Sequence, residues 1–317
     1  MSSPHKLERD YAKADLAAVN SLLDGLTEED IMTRFGLESR RDELLARIQA
    51  LGDHEDEATA SAHLFFGGRP VIGSQGIESE FGGNALTKYQ DLVAKLLAAD
   101  ASGLRQRGIV PNKGAATLHI TNVVRGSFGF LLEEIQQQGE IIDTALKSAV
   151  DNASKLLEAF GVTDEEEFRA AIERVDQRVL AAATEFFELV RQANATFRLV
   201  TGDIDTSFGP EAVVRAADRA TSTTIEDAEE SAAGQLGGVL PEAHQFEFQV
   251  EETNRTIRGK VDSAISAAQL ASYNRDLVSK PATVRLRIKR VLRNGEIVHE
   301  SFTLLGLHAT ADATGAA

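Results

Sequence analysis

Three times the sequence places a hydroxyl two residues after a histidine: His119-Ile120-Thr121, His299-Glu300-Ser301 and His308-Ala309-Thr310. Two such pairs facing one another suit phosphoester hydrolysis. Imidazole titrates near neutrality and serves as acid or base, while the hydroxyl donates to the phosphate. His119 and Thr121 form the candidate catalytic pair, because His308 falls in an Ala/Thr-rich tail and His299 in a different predicted domain. A half-buried strand also produces this spacing, since alternate residues share a face. Turnover is therefore the lesser expectation.

A second pattern is electrostatic. Along Val284–Lys289, Val284, Leu286 and Ile288 alternate with Arg285, Arg287 and Lys289, and Arg258 and Lys260 sit on a strand expected nearby. These five cations are candidate contacts to a nucleic-acid backbone, as on other small barrels. The aromatic platform for stacking bases is missing: Phe246, Phe248 and Phe302 read as core, and Tyr273 is the spare aromatic. A solvated strand face paired across to Glu247, Glu296 or Glu300 gives the same alternation.

Two weaker motifs read as turns. Gly73–Asn84 (GSQGIESEFGGN) has the general form of a phosphate loop before a helix, but it lacks the Gly-Lys-Ser/Thr of a P-loop and carries Glu78 and Glu80. Asp203-Ile-Asp205-Thr-Ser207 approximates the start of an aspartate-nucleophile phosphatase, in a setting that looks like a hairpin. The seven histidines lack ligand spacing and there is no cysteine, so neither a metal nor a cofactor is expected.

The elements that would position these groups follow from periodicity. Gly114–Glu134 alternates on either side of Arg125-Gly126, predicting two strands joined by a tight turn. Around it lie helical patterns. Leu7–Leu26 is one, and Thr27–Asp30 caps a short second. Glu38–Leu51 follows Gly36 with Leu44, Leu45, Ile48 and Leu51 on one stripe. These N-terminal helices either dock on the protein's own sheet or form a dimerisation arm. After an acidic linker at Gly52–Thr59, Ala62–Phe66 reads as a strand turning at Gly67-Gly68 into Pro70–Gly73. Asn84 caps the next helix. Ile141–Phe160 is amphipathic and closes at Gly161, Thr163–Glu166 is a capping box, and Asp176 caps a further helix. Phe197–Val200 and Ile204–Phe208 suggest a second hairpin, and Pro210 opens a last helix.

Thr224–Glu230 is acidic and reads as an interdomain linker. Beyond it, strands are expected at Gly234–Leu240, Gln245–Val250, Thr256–Val261, Thr283–Leu292 and Glu296–Leu305, with a helix at Ser263–Leu270. Five strands with a helix between the third and fourth is the order of an OB-like barrel. The predicted class is α+β: N-terminal helices over 1–52, a helix-covered, mainly antiparallel body over 60–224, a small five-stranded β-barrel over 231–307, and a disordered tail over 308–317.

The chain of 317 residues carries a net charge of −16, which disfavours a general binder of nucleic acid or anionic membrane. The barrel stretch Ser231–Leu307 differs, with ten Lys/Arg against eight Asp/Glu, so its +2 leaves −18 for the rest. No apolar run approaches the roughly 18 residues of a membrane span. The expectation is a cytoplasmic binding or assembly protein acting through protein–protein contacts, with a protein partner or a homo-oligomer and no membrane. Nucleic-acid or nucleotide binding through the barrel comes next, and a His119 phosphoesterase last.

Overall fold

Ala62, Leu64, Phe65 and Phe66 surround a single polar residue, His63, and such a run suits a strand covered on both faces. In the computed structural model it is the middle of β1 (Ser61–Gly68), buried at every position from 62 to 66. The structure describes residues 31–52, 59–102, 108–124, 128–135, 143–202 and 204–309, with isolated positions 12, 16, 19, 20 and 23 before them. The chain divides into two compact units, Met1–Thr221 and Ser222–Ala317.

In the first unit β1 is the centre of a five-stranded antiparallel sheet in the order β4-β5-β1-β6-β7. β4 (His119–Val124) and β5 (Phe128–Glu133) are the two strands expected around Arg125-Gly126, and β6 (Ala195–Thr201) and β7 (Ile204–Phe208) the second hairpin. Residues 125–127 and Asp203 lie outside the described residues. One face of the sheet carries Leu64, Phe66, Phe130, Phe197 and Phe208. The helices α2 (Ser79–Ser102), α3 (Ala145–Gly161), α4 (Glu165–Ile172) and α5 (Gln177–Gln192) supply Phe81, Phe160, Phe168, Phe186 and Phe187 to the same core, and α6 (Pro210–Ser222) adds the buried Val213, Ala216, Ala217 and Ala220. Edge-on ring contacts link them, such as Phe66 with Phe81 at 5.4 Å and Phe186 with Phe197 at 5.2 Å.

Several local expectations are corrected. Gly67 and Gly68 do not turn the chain. They end β1 against Thr196 and Ala195 of β6, while Val71–Ile72 (β2) pairs instead with Gly76–Ile77 (β3). Helix α2 starts at Ser79, so Asn84 is inside it rather than its cap. The cap of α4 is Asp164, not Thr163: its carboxylate accepts from the amides of Glu166 and Glu167. Gly161 is the last residue of α3 rather than a left-handed terminator. Its role is steric, because a Cβ there would stand 2.4 Å from the Phe208 ring. The N-terminal pattern does not break at Gly36. A single helix, α1 (Ile31–Gly52), runs through it. Leu44 packs with Ala12 and Val19 and the half-buried Leu16, Leu23, Leu37 and Ile48, whereas Leu45 is 47% exposed and off the stripe. The side chain of Leu51, and the linker over 53–58, lie outside the described residues.

The second unit is a closed barrel in the order β10-β12-β11-β8-β9. Its strands are β8 (Thr223–Leu240), β9 (Gln245–Val250), β10 (Thr256–Val261), β11 (Pro281–Arg293) and β12 (Glu296–Ala309). The pairing is antiparallel throughout, except that β10 runs parallel to β12. Helix α7 (Ala267–Asp276) falls between the third and fourth strands, a few residues later than expected, and opens with a Ser266–Gln269 capping box. Its Leu270 joins Leu236, Phe246, Phe248, Val284, Leu286 and Leu304 in the barrel core.

The largest correction concerns Thr224–Glu230. It is not a linker: it is the first half of β8, paired residue by residue with Leu286–Leu292 of β11. The supposed tail is likewise partly strand, with His308 opposite Thr283 and Ala309 opposite Ala282. Residues 310–317 lie outside the described residues.

Candidate functional site

Placing the acidic segment in β8 changes the electrostatics of the candidate site. Counted over 222–309, the barrel holds ten Lys/Arg and twelve Asp/Glu, a net of −2 in place of +2. Inward Val284, Leu286 and Ile288 do alternate with outward Arg285, Arg287 and Lys289. The neighbouring positions on β8, however, are Ser231, Glu229 and Asp227. Arg287 stands 3.8 Å from Glu229 and 3.7 Å from Asp262, and Arg290 lies 2.8 Å from Glu230 and 3.0 Å from Glu300. Those two carboxylates, Glu230 first, hold the Arg290 guanidinium above its ordinary pKa. Cross-strand pairing is thus present: β11 pairs chiefly with the segment read as a linker and, through Arg290, with the expected Glu300, while the expected Glu247 pairs with Arg258 of β10.

The five expected cations form two groups. Arg285, Arg287 and Lys289 are on β11. Arg258 and Lys260 are on β10, which borders β9 and β12 but not β11. Arg258 and Lys260 line a cleft of about 620 Å³ together with Gly237, Gly238, Val239, Leu240, Gln245, Phe246, Glu247 and Gly259. Arg258 is 2.8 Å from Glu247, and Lys260 has no carboxylate within ion-pair distance among the described residues. The glycine wall of this cleft was missed in the sequence. The signal was there, in the Gly234, Gly237 and Gly238 that interrupt an otherwise strand-like run. A second cavity, of about 550 Å³, opens where β8, β11 and β12 run on past the β9–β10 hairpin. Glu230, Glu251, Glu252 and Glu300 dominate its rim, beside Arg255 and Arg290.

The proposed catalytic pair is on an edge strand. His119 is exposed at the start of β4, opposite Glu133, and Thr121 sits at a bulge and donates to the Glu133 carboxylate. His299 and His308 belong to the other unit, nine residues apart on β12, or about 30 Å at strand rise. Among the described residues, neither unit by itself brings two histidines of these His-x-Ser/Thr pairs together. Asp205 is engaged in a two-pronged pair with Arg198, at 2.7 and 2.6 Å, as a cross-strand contact of the hairpin. In the glycine-rich loop Gly82 and Gly83 are helical, and Arg69 reaches Glu78 at 3.6 Å.

Among the described residues, the strongly perturbed imidazole is elsewhere. Burial, aided by the nearby Arg198 charge, lowers the pKa of His63 to about 4, and its ring stacks on Phe65 at 6.0 Å. Its Nδ1 has no hydrogen-bond partner among the described residues. Among the described residues no group of three or more His, Asp or Glu could hold a metal, and no helix is long and apolar enough to cross a membrane.

No family model, curated protein or solved structure matches the chain.

Proposed function

We propose that this protein acts by binding rather than turnover, through protein–protein contacts, and that its first contact is with a second copy of itself along β4. The observation that carries this reading is the character of that edge. β4 is an outer strand of six residues without a single Asp, Glu, Lys or Arg, in a chain where 26% of residues are charged. Ile120 and Val123 share one face of it and are 56% and 47% exposed. Edge strands that must stay unpaired usually carry charge or proline. Antiparallel pairing about a twofold axis between Thr121 and Asn122 would set Ile120 of one copy against Val123 of the other. That register is self-complementary, as an isologous dimer requires. Asn122 Oδ1 now accepts from the Val123 amide at 2.8 Å, and pairing would replace that bond with a strand partner.

The finer reading of the second unit as OB-like belongs to the same proposal. The parallel third and fifth strands and the helix between the third and fourth support it. A cytoplasmic setting is also part of the proposal and fits the cysteine-free composition.

Sedimentation equilibrium of the full chain tests the assembly. The expected mass is twice 34.2 kDa, falling to the monomer for Ile120→Lys with Val123→Lys at an unchanged melting temperature. A monomeric wild type at the highest soluble concentration, or a double variant that still dimerises, would overturn the reading.

A further inference from the structure

We infer that the glycine-walled cleft between β8, β9 and β10 is a binding site for a small phosphate-bearing molecule of nucleotide size. The inference is independent of the assembly reading. At about 620 Å³ the cleft falls within the range of small-ligand sites, roughly 300–1,000 Å³. Its walls combine two chemistries. Leu240 and the bare glycine backbone offer apolar surface over the buried Val239 and Phe246, and Lys260 supplies positive charge beside the Arg258–Glu247 pair.

The wall is also built to hold its shape. Pairing of β8 with β9 slips between Leu236 and Gly238, so Gly237 is bulged out of the ladder. The strand beyond the bulge is clasped by α7. Asn274 Oδ1 accepts from the Val239 amide at 2.8 Å, and its Nδ2 donates to the Val239 carbonyl at 2.7 Å. The Leu236 carbonyl accepts from the Ser279 amide at 2.9 Å. A bulge fixed from behind presents backbone and no side chain to whatever enters from the front. An approach this close is what a phosphate or a flat ring needs.

Charge decides between a small ligand and a polymer. Glu247 neutralises Arg258, which leaves the single positive charge of Lys260 for the ligand. A nucleic-acid strand is held by many phosphate contacts at once, and both the −2 barrel and the −16 chain repel it. One phosphate group on a small molecule asks for one cation and a few backbone donors.

Titration calorimetry of the full chain at low salt tests the proposal, with AMP, ATP, inorganic phosphate, and short and long oligothymidylates as probes. The mononucleotides are expected to bind at submillimolar concentration, and Lys260→Ala to weaken them about tenfold or more, in line with loss of a charged hydrogen bond. Gly238→Leu supplies a steric test. Nothing lies within 4 Å of a Cβ added at Gly238, so the side chain has room and would occupy the cleft. It should abolish binding at an unchanged melting temperature, and Lys260→Ala decides the matter should the leucine variant misfold. The inference fails if no phosphate compound binds at millimolar concentration, or if both variants bind as wild type. It fails equally if affinity rises with oligonucleotide length while mononucleotides are ignored, which would indicate a polymer.

Discussion

Removing the guanidinium of Arg219 should destabilise the first unit more than any change at a surface ion pair. Arg219 lies on α6 and its side chain is 2% exposed. Its Nη1 donates to the carbonyl of Phe160 at 3.1 Å and also to that of Val162, at the C-terminal end of α3 where Arg215 holds the Gly161 carbonyl between them. Its other edge meets the Glu165 carboxylate at 3.2 and 2.6 Å, and the plane lies 4.9 Å over the Phe168 ring. Arg219→Ala deprives two largely buried carbonyls of their donor, at about 1–3 kcal/mol each, and loses a cation–π contact of about 1–2 kcal/mol. Glu165 is half exposed and returns to water, so little is added there. The terms add to about 3–8 kcal/mol, and breaking a buried ionic cluster from one side, at about 3–5 kcal/mol, places the expected loss in the lower part of that span. With a urea m-value of about 3 kcal/mol/M, the midpoint followed by the helical circular-dichroism band should fall by at least about 1 M. Glu165→Gln leaves the carbonyl bonds intact and should cost under about 1 kcal/mol. An Arg219→Ala loss no larger than that of Glu165→Gln would refute the assignment of Arg219 as the clamp that joins α3, α4 and α6.

Two further outcomes follow from the electrostatics. Between pH 6.5 and about 4 the unfolded chain protonates His63 while the folded chain does not. Stability should therefore fall as pH drops through that window, by up to about 1.4 kcal/mol per unit, and urea midpoints of His63→Phe at pH 7 and pH 5 should show a shallower fall than wild type. In the barrel, Arg287→Glu would face Glu229 and Asp262, and should lower the melting temperature by roughly a few degrees. Arg285→Glu faces Ser231 and Gly306 and should change it little, so calorimetric scans that rank the two the other way would contradict the register.

Much of the architecture was legible in the sequence alone. The strands β4 and β5, the Phe197–Phe208 hairpin and the five barrel strands with their helix could be read because alternation and turn residues are local signals, set by the period of the backbone itself, although Gly114–Ala116, expected to open the first of these strands, lies in a turn of 3-10 helix. The same holds for α3 and α5, whose apolar stripes are long enough to be unambiguous. The readings that failed needed a partner. Gly67-Gly68 has the composition of a turn, yet it continues a central strand because β6 runs alongside it. Thr224–Glu230 has the composition of a linker, yet β11 lies beside it and pairs its acids with a basic strand some sixty residues away. Charge of this kind is legible in amount but not in arrangement. The sequence determined that Arg285, Arg287 and Lys289 share a face. Only the fold decided that acids of β8 stand opposite Arg287 and Lys289 and that Arg258 and Lys260 belong to a different surface. The cleft is the extreme case, since its wall consists of side chains that glycine does not have, and an absence acquires shape only when three strands are brought around it.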